Sequence, residues 1–520
     1  METERNKVFL IGASILGFIS FITLLAFHNV ADGDVWAKLI LGSSIWETGK
    51  LLREDLFAFT PTLPHYADHE WGSGLVFYTL LKLFGPTSLM ALKMFLAVAA
   101  LMVAARVSLW RGVNPATVLL LVVPCAICLL PGYVVVIRSH AFTYLFFALT
   151  LLCLEEIQRG KKWPIIVQII LIAIWTNIHG GFVAGLGTIG IYTCVAILRR
   201  ELAGPMILLT LGCVLATLLN PYGIGFWKTI LPAILHKRPN IGEWGPMPLT
   251  GFDAFIGFRI LIVMVLVSLL FGWRKRGLQA LPALLMLAVT AFIAIRSRRH
   301  APFFAIASLA FIGPYLECAL QKLWDLIGKR RAIRPAALVL VIYVAVAMFV
   351  AAKFLPQASL QVLAPVRSYP VREADILAQA NVSGNLVVPF EWGSYATWRL
   401  YPKIKVSIDG RYEAAYPEST FQMNLDFMFK TGGDWERLLR YHSVDFIILD
   451  LKNCAVTPVD LQARGYFPIW IDEKYSGLFA RGEHVEFLRK VASELPPTTI
   501  EPLDSKIPEK FWATTRGTTP

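Results

Sequence analysis

Long uncharged apolar runs recur along the chain and limit the folds open to it more than any other feature. The first covers Val8 to Phe27, and ten comparable runs follow before residue 355. An α-helix needs about 20 apolar residues to cross ~30 Å of hydrocarbon, so the pattern predicts a multi-spanning helical membrane protein. Composition agrees: 16% of the 520 residues are charged and 56% are hydrophobic, against roughly 25% charged in soluble domains. The first run is too long for a signal-peptide core and is read as a retained anchor. Six of the seven cysteines lie in apolar runs and only Cys454 lies in the polar tail, which rules out a disulfide within that tail. The net charge of +13 sits in short loops between runs; that placement argues for membrane orientation, not nucleic-acid binding.

Lys/Arg clusters mark cytoplasmic loops. They occur at Arg5/Lys7, Arg106/Arg111, Arg159–Lys162, Arg199/Arg200, Arg274–Arg276 and Lys329–Arg334. Placing all of them inside gives about eleven spans, at 8–27, 87–109, 115–132, 139–157, 163–178, 182–198, 204–219, 253–273, 279–295, 300–320 and 335–354. The segment "WGSGLVFYTLLKLF" (71–84) then lies in the outer interface without crossing. The expected division is a membrane domain over 1–354, with its first outer loop at 28–86, and an extracytoplasmic α/β domain over 355–520. The location implied is the inner (cytoplasmic) membrane, with the tail outside.

This topology collects unusual polar groups on the outer side. Asp32, Asp34, Asp68, His69 and Glu70 lie in the first loop. Arg138 and His140 lie in "VIRSHAF", Asn177 and His179 in "WTNIHGG", Asn220 in "LNPYG" and Glu243 in "IGEWGP". Arg296, Arg298 and Arg299 lie in "IRSRRHAPFF". Basic residues on the translocated side break the charge rule, and an anion met there would account for them. Ionisable groups at membrane depth are functional candidates. Each also has a bland reading: Asn220 begins a good turn, and an Asp ahead of an amphipathic run is a common helix cap. One of Asp32 and Asp34 is expected to be only that cap.

No Walker motif, dinucleotide fingerprint or His/Cys metal cluster is present. A reaction outside the cell needs a substrate that carries its own activation, and a polyprenyl-phosphate sugar does. Its phosphate leaves without a general acid, arginines stabilise the charge that develops, and a single carboxylate serves as base. The stereochemical expectation is inversion by one displacement.

At this point the residues resemble the GT-C superfamily of polyprenyl-phosphate-sugar-dependent glycosyltransferases, most closely its protein O-mannosyltransferase and lipid A aminoarabinose transferase branch. The parts that match are Asp34 opening the first loop, the helix to Gly49, "REDLFAFTPTLPHYADHEWGSG" and "LLKLFG". The resemblance implies that Asp34 is the base and Glu70 a second acid of the loop; the family's Asp-Glu pair reads Asp34-Val35 here, which leaves Asp32 a rival. It implies a lipid-linked sugar as co-substrate and an unidentified glycan, lipid or protein acceptor, and leaves a divalent cation open. A lipid-linked glycan flippase and a non-catalytic scaffold are the alternatives.

From 355 onward the apolar runs shorten to "NLVVPF", "IKVSI", "DFIILD" and "YFPIWI", separated by helical patterns such as "VREADILAQA" and "DWERLLRYH". This predicts an α/β domain with a mostly buried sheet. The stretch at 389–413 concentrates Trp392, Tyr395, Trp398, Asp409 and Arg411. It reads either as an acceptor-contacting surface or as aromatic packing with an Asp–Arg pair at a strand end. The Pro/Thr-rich end from Pro496 is expected to be mobile.

Overall fold

A computed structural model describes residues 2–235, 242–272, 280–327, 335–365, 368–472, 475–496 and 500–502. The basic clusters at 274–276 and 329–334 and the end beyond 502 lie outside the described residues. In chain order the helices before the tail are α1 (Glu2–Phe27), α2 (Gly33–Thr48), α3 (Trp71–Phe84), α4 (Thr87–Trp110), α5 (Pro115–Leu129), α6 (His140–Gln158), α7 (Trp163–Ile178), α8 (Phe182–Arg199), α9 (Ala203–Ala216), α10 (Gly225–Leu235), α11 (Ile256–Gly272), α12 (Leu281–Arg296), α13 (Ala301–Phe311), α14 (Gly313–Ile327) and α15 (Pro335–Lys353). The tail continues with β1 (Leu363–Pro365), α16 (Val371–Ala380), β2 (Gly384–Val387), α17 (Phe390–Leu400), β3 (Ile404–Val406), α18 (Glu418–Phe429), α19 (Arg437–Tyr441), β4 (Phe446–Asp450), α20 (Pro458–Gln462), β5 (Tyr466–Asp472), β6 (Ser476–Arg481), α21 (Gly482–Glu494) and β7 (Ile500–Pro502).

The chain forms two compact units, Met1–Asn29 with Met90–Leu360 and Val30–Leu89 with Gln361–Pro520. The first loop therefore groups with the tail, where the sequence reading had placed it with the membrane helices.

In the first unit a helix occupies every expected span. Among the described residues six helices are long and apolar enough to cross a membrane unaided, and the bent pair 298–311 and 313–322 would make a seventh. The other four expected spans are the shorter apolar helices α7, α9, α11 and α12. Large apolar side chains point outward along them, including Ile166, Leu208 and Met348, each more than half exposed. Such a surface suits hydrocarbon, not water, and the chain is an integral membrane protein. Inside the unit α11 crosses α5 so closely that a Cβ on Gly257 would lie 2.5 Å from the Cys128 nitrogen. Lys93, fully buried on α4, donates to the carbonyls of Leu25 and His28 at the end of α1, supplying partners for orphan carbonyls of a helix end.

The second unit is built on a five-stranded sheet of order β3-β2-β4-β6-β5. β2 runs parallel to β3 and β4, and β6 pairs antiparallel with β4 and β5. β4 is buried along Phe446–Leu449, as a strand covered on both faces should be. The first loop joins this sheet as an edge. Phe59 N donates to Val406 O at 3.1 Å and Val406 N to Phe57 O at 3.0 Å, so β3 presents no open edge there. Ala31 N bonds Leu363 O at 2.9 Å, and Thr420 Oγ1 bonds Pro61 O at 2.8 Å. A loop with few strands or helices of its own thus satisfies its backbone on the tail.

α2 packs between α3 and α17. Gly42 and Gly74 allow the α2–α3 crossing, since a Cβ on Gly42 would lie 2.1 Å from the Gly74 carbonyl oxygen. Trp36, 1% exposed, sits edge-on to Tyr369 and Tyr395. Most of α2 is buried by protein. The sequence did not mark β6 or α17 as separate elements, because the aromatics of "FEWGSYATWRL" mask its helical period.

Glu373 on α16 is 1% exposed. Burial pushes its carboxyl up to about 7, aided by Asp472 and opposed by a hydrogen bond from Ser476 and the charge of Arg372. The unfolded chain ionises this group near its ordinary value of 4.5, so its contribution to stability is complete below that pH and is lost as pH rises to about 7. Thermal unfolding across this window should show the decline. Glu373→Gln should abolish it and stabilise the unit above neutrality, by on the order of 3 kcal/mol.

Candidate functional site

Candidate groups gather in each unit. In the second, α2 begins at the end of the extended segment 28–32. Asp32 is the N-cap: its Oδ1 accepts from Val35 N at 3.2 Å. Asp34 stands in the first turn and is exposed. One turn further along α2, Lys38 is turned inward, and its ammonium meets Asp68 Oδ1 at 2.8 Å and Glu70 Oε2 at 3.0 Å. Burial alone would lower Lys38, but Asp68 and Glu70 outweigh it and hold the ammonium above its usual range. His69 Nε2 lies 3.7 Å from Glu70 Oε1. The Asp68–Glu70 pair therefore already encloses a cation. An ammonium occupies the place a divalent ion would need, and these acids do not fit a metal site.

In the first unit the arginines converge on one acid. Glu243, in the 3₁₀ turn Gly242–Trp244, accepts from Arg138 Nη1 at 2.8 Å on one oxygen and from Arg299 Nη1 at 3.0 Å on the other. Burial would raise Glu243, but Arg299 and Arg138 hold its carboxyl below the usual range. The Arg299 guanidinium lies 4.7 Å from the ring centre of Trp244, and Arg298 Nε donates to Gly242 O at 2.7 Å. Arg296, at the end of α12, is exposed and makes none of these contacts. His140, at the start of α6, bonds Gly132 O at 3.0 Å through Nε2, and its ring lies 6.3 Å from that of His179. His179 Nδ1 accepts from Gly181 N at 2.8 Å and meets Thr143 Oγ1 at 2.8 Å. Thr143 in turn accepts from Trp175 Nε1 at 2.9 Å. With Nδ1 acting as acceptor, a neutral His179 carries its proton on Nε2.

Asn177 and Asn220 shape turns: Asn177 Nδ2 donates to Leu219 O and Asn220 Oδ1 accepts from Tyr222 N. In the tail Trp392 and Tyr395 are buried. Asp409 and Arg411 form a buried ion pair at 2.7 Å, and Arg411 reaches a second carboxylate, Asp55, at 2.5 Å.

Several groups escaped the sequence reading. Lys38 could have been found from its i+4 spacing to Asp34, which puts both near one face of α2. Thr143 and Asp55 carry no local signal. Neither do Asp445, Glu483 and His484, the one group among the described residues with metal-ligand spacing, their ligand atoms all within 4.8 Å. Asp445 Oδ2 already accepts from Asn385 N at 2.8 Å.

No protein-family model matches the sequence, and no curated protein matches it. Solved structures do match the fold. The archaeal oligosaccharyltransferase AglB from Archaeoglobus fulgidus, in complex with an inhibitory peptide and a dolichol-phosphate, superposes with a TM-score of 0.57 at 11% identity, over 96% of this chain and 77% of its own. The apo form of the Archaeoglobus fulgidus oligosaccharyltransferase gives 0.56 at 12% identity, over 85% and 70%. The fold is GT-C-like. The mycobacterial arabinofuranosyltransferase AftD, a second GT-C glycosyltransferase, gives 0.53 at 14% identity, over 90% of this chain and 40% of its own. A GT-C-like fold at such identities fixes architecture, and the chemistry rests on the residues above.

Proposed function

We propose that the chain is an inverting glycosyltransferase that moves a sugar from a polyprenyl-phosphate donor to an acceptor at the outer face of the inner membrane. The proposal takes all eleven apolar helices or helix pairs as spans, with the first loop and the tail outside. What carries it is Asp34: an exposed carboxylate in the first turn of a helix that is itself immobilised, while its neighbour Asp32 takes the capping bond. A general base needs that combination of access and fixed position. Arg138 and Arg299 are assigned to the donor phosphate. Each already gives one Nη1 bond to a carboxylate, Glu243, and guanidinium groups meet phosphate oxygens through the same charge-assisted bonds. Glu70 is assigned to holding Lys38 with Asp68, and no step is routed through a metal. His140, His179, Asn177 and Asn220 are assigned to shaping the wall around the arginines.

The reaction needs no acid for the leaving group. Asp34 takes the acceptor proton as its oxygen attacks the anomeric carbon from the face opposite the phosphate. The bond to phosphate breaks with its electron pair going to the phosphate oxygen, and the polyprenyl phosphate departs as an anion. Transfer of radiolabelled sugar from polyprenyl-phosphate donors to envelope acceptors by the purified protein tests the reading. Inertness with every such donor would overturn it.

Arg138→Ala and Arg299→Ala should each weaken polyprenyl-phosphate binding in nanodiscs by roughly 1.5–3 kcal/mol, the scale of a hydrogen bond to a charged group. Unchanged affinity in both would remove this cluster from the reaction. The topology has its own test. Ser383→Cys, in an exposed position after α16, should react with an impermeant thiol reagent in intact spheroplasts, above the background of Cys194, Cys318 and Cys454. Labelling only after lysis would place the tail inside.

A further inference from the structure

The tail carries a cavity at a position that the sheet itself singles out. β2 lies between its parallel neighbours β3 and β4. The chain leaves β2 through α17 toward β3, and leaves β4 through α20 toward β5. Where the connections of adjacent parallel strands diverge, a crevice opens beyond their carboxyl ends, and α/β sheets bind ligands there. In this domain that crevice is a cavity of about 350 Å³, within the size range of small-molecule sites. Phe390, Glu391 and Trp392 line it from the end of β2, Asp450 from the end of β4, and Asn424 and Phe429 from α18.

Asn424 forms a rigid part of the wall. It is 1% exposed. Its Nδ2 donates to Val388 O at 3.2 Å and to Ser407 Oγ at 3.1 Å, which fixes the amide, and its Oδ1 is closed to solvent. The polar groups that a ligand could reach are carboxylates. Glu391 offers an exposed carboxylate. Asp450 accepts from Lys452 N, Asn453 N and Asn453 Nδ2, so it is held rigid as a further acceptor. No Lys, Arg or His occurs among the described lining residues. Two carboxylates without a cation disfavour a phosphate or any other anion. Three aromatic rings supply flat apolar surface, and Phe429 is 46% exposed.

We propose that this cavity binds an uncharged, hydroxyl-rich ligand, a saccharide unit whose hydroxyls donate to Glu391 and Asp450 and whose C–H face packs on the aromatic rings. The site uses neither Asp34 nor the arginines and stands whether or not the chain transfers a sugar. The test is saturation-transfer NMR on the full-length protein in nanodiscs, with the methyl glycosides of glucose, mannose, galactose and N-acetylglucosamine, and with glucose 6-phosphate as the anionic control. At least one neutral glycoside should be saturated, and glucose 6-phosphate should not. Glu391→Ala, at an exposed side chain, should weaken the bound glycoside about tenfold, the equivalent of one lost hydrogen bond. Binding of none of the glycosides, or binding that survives Glu391→Ala, overturns the proposal. So does binding of lysine methyl ester in place of every glycoside, which would assign the cavity to a cation.

Discussion

Asp34→Asn should leave a folded protein whose turnover falls by about 10²–10⁴-fold, the range for loss of a general base. The structure sharpens this expectation. Asp32, not Asp34, accepts the amide of Val35, so the helix keeps its cap in the variant. Asn at position 34 keeps the shape of the side chain and gives up the interaction of a carboxylate with the start of the helix, about 0.3–1 kcal/mol. The amide cannot accept the acceptor's proton, so catalysis alone should suffer. The reciprocal variant separates the two acids: Asp32→Ala should cost ~1 kcal/mol of stability, the worth of a cap, and retain turnover. Transfer assays paired with thermal unfolding of both variants read the pattern. Full turnover in Asp34→Asn, with loss in Asp32→Asn, would move the base to Asp32.

The same pair of residues shows how far the sequence could be read. Two acids before a helical pattern told of one cap and one candidate base, and the spacing could not say which, because the choice depends on where the backbone enters the helix. Membrane helices were legible because hydrocarbon permits few backbone solutions, so each apolar run became a helix. The convergence of Arg138 and Arg299 on Glu243 was legible only as a shared side of the topology. Their contact joins three loops, and nothing local to any of them encodes it. The grouping of the first loop with the tail was invisible for a related reason. It rests on backbone bonds such as Phe59 to Val406, which any side-chain sequence could make, on the packing of α2 against α17, and on a charged link from Asp55 to Arg411. The tail stretch 389–413 left a choice between surface and core, and burial of Trp392, Tyr395, Asp409 and Arg411 favours the core, with Trp392 reaching one cavity wall.

Arg411→Ala should destabilise the unit formed by the first loop and the tail by about 3–5 kcal/mol, the usual cost of removing one partner from a buried ion pair. Arg411 is 8% exposed, and its guanidinium faces both Asp409 and Asp55. It also donates to Tyr416 Oη at 3.1 Å and stacks 4.8 Å from the ring centre of Phe57. Removing it leaves two carboxylates close together and away from water. Asp55 is further constrained, because its Oδ2 accepts from Phe57 N and Ala58 N and so cannot turn toward solvent without releasing the loop from β3. Arg411→Lys keeps the charge but loses the fork that serves both acids, and should fall between the wild type and Arg411→Ala. Limited proteolysis of residues 50–66, with thermal unfolding as the second measure, reads the loss. If Arg411→Ala is as stable as the wild type and its loop as protected, the Asp55–Arg411–Asp409 link contributes nothing, and the backbone bonds to β3 with the packing of α2 on α17 hold the first loop to the tail.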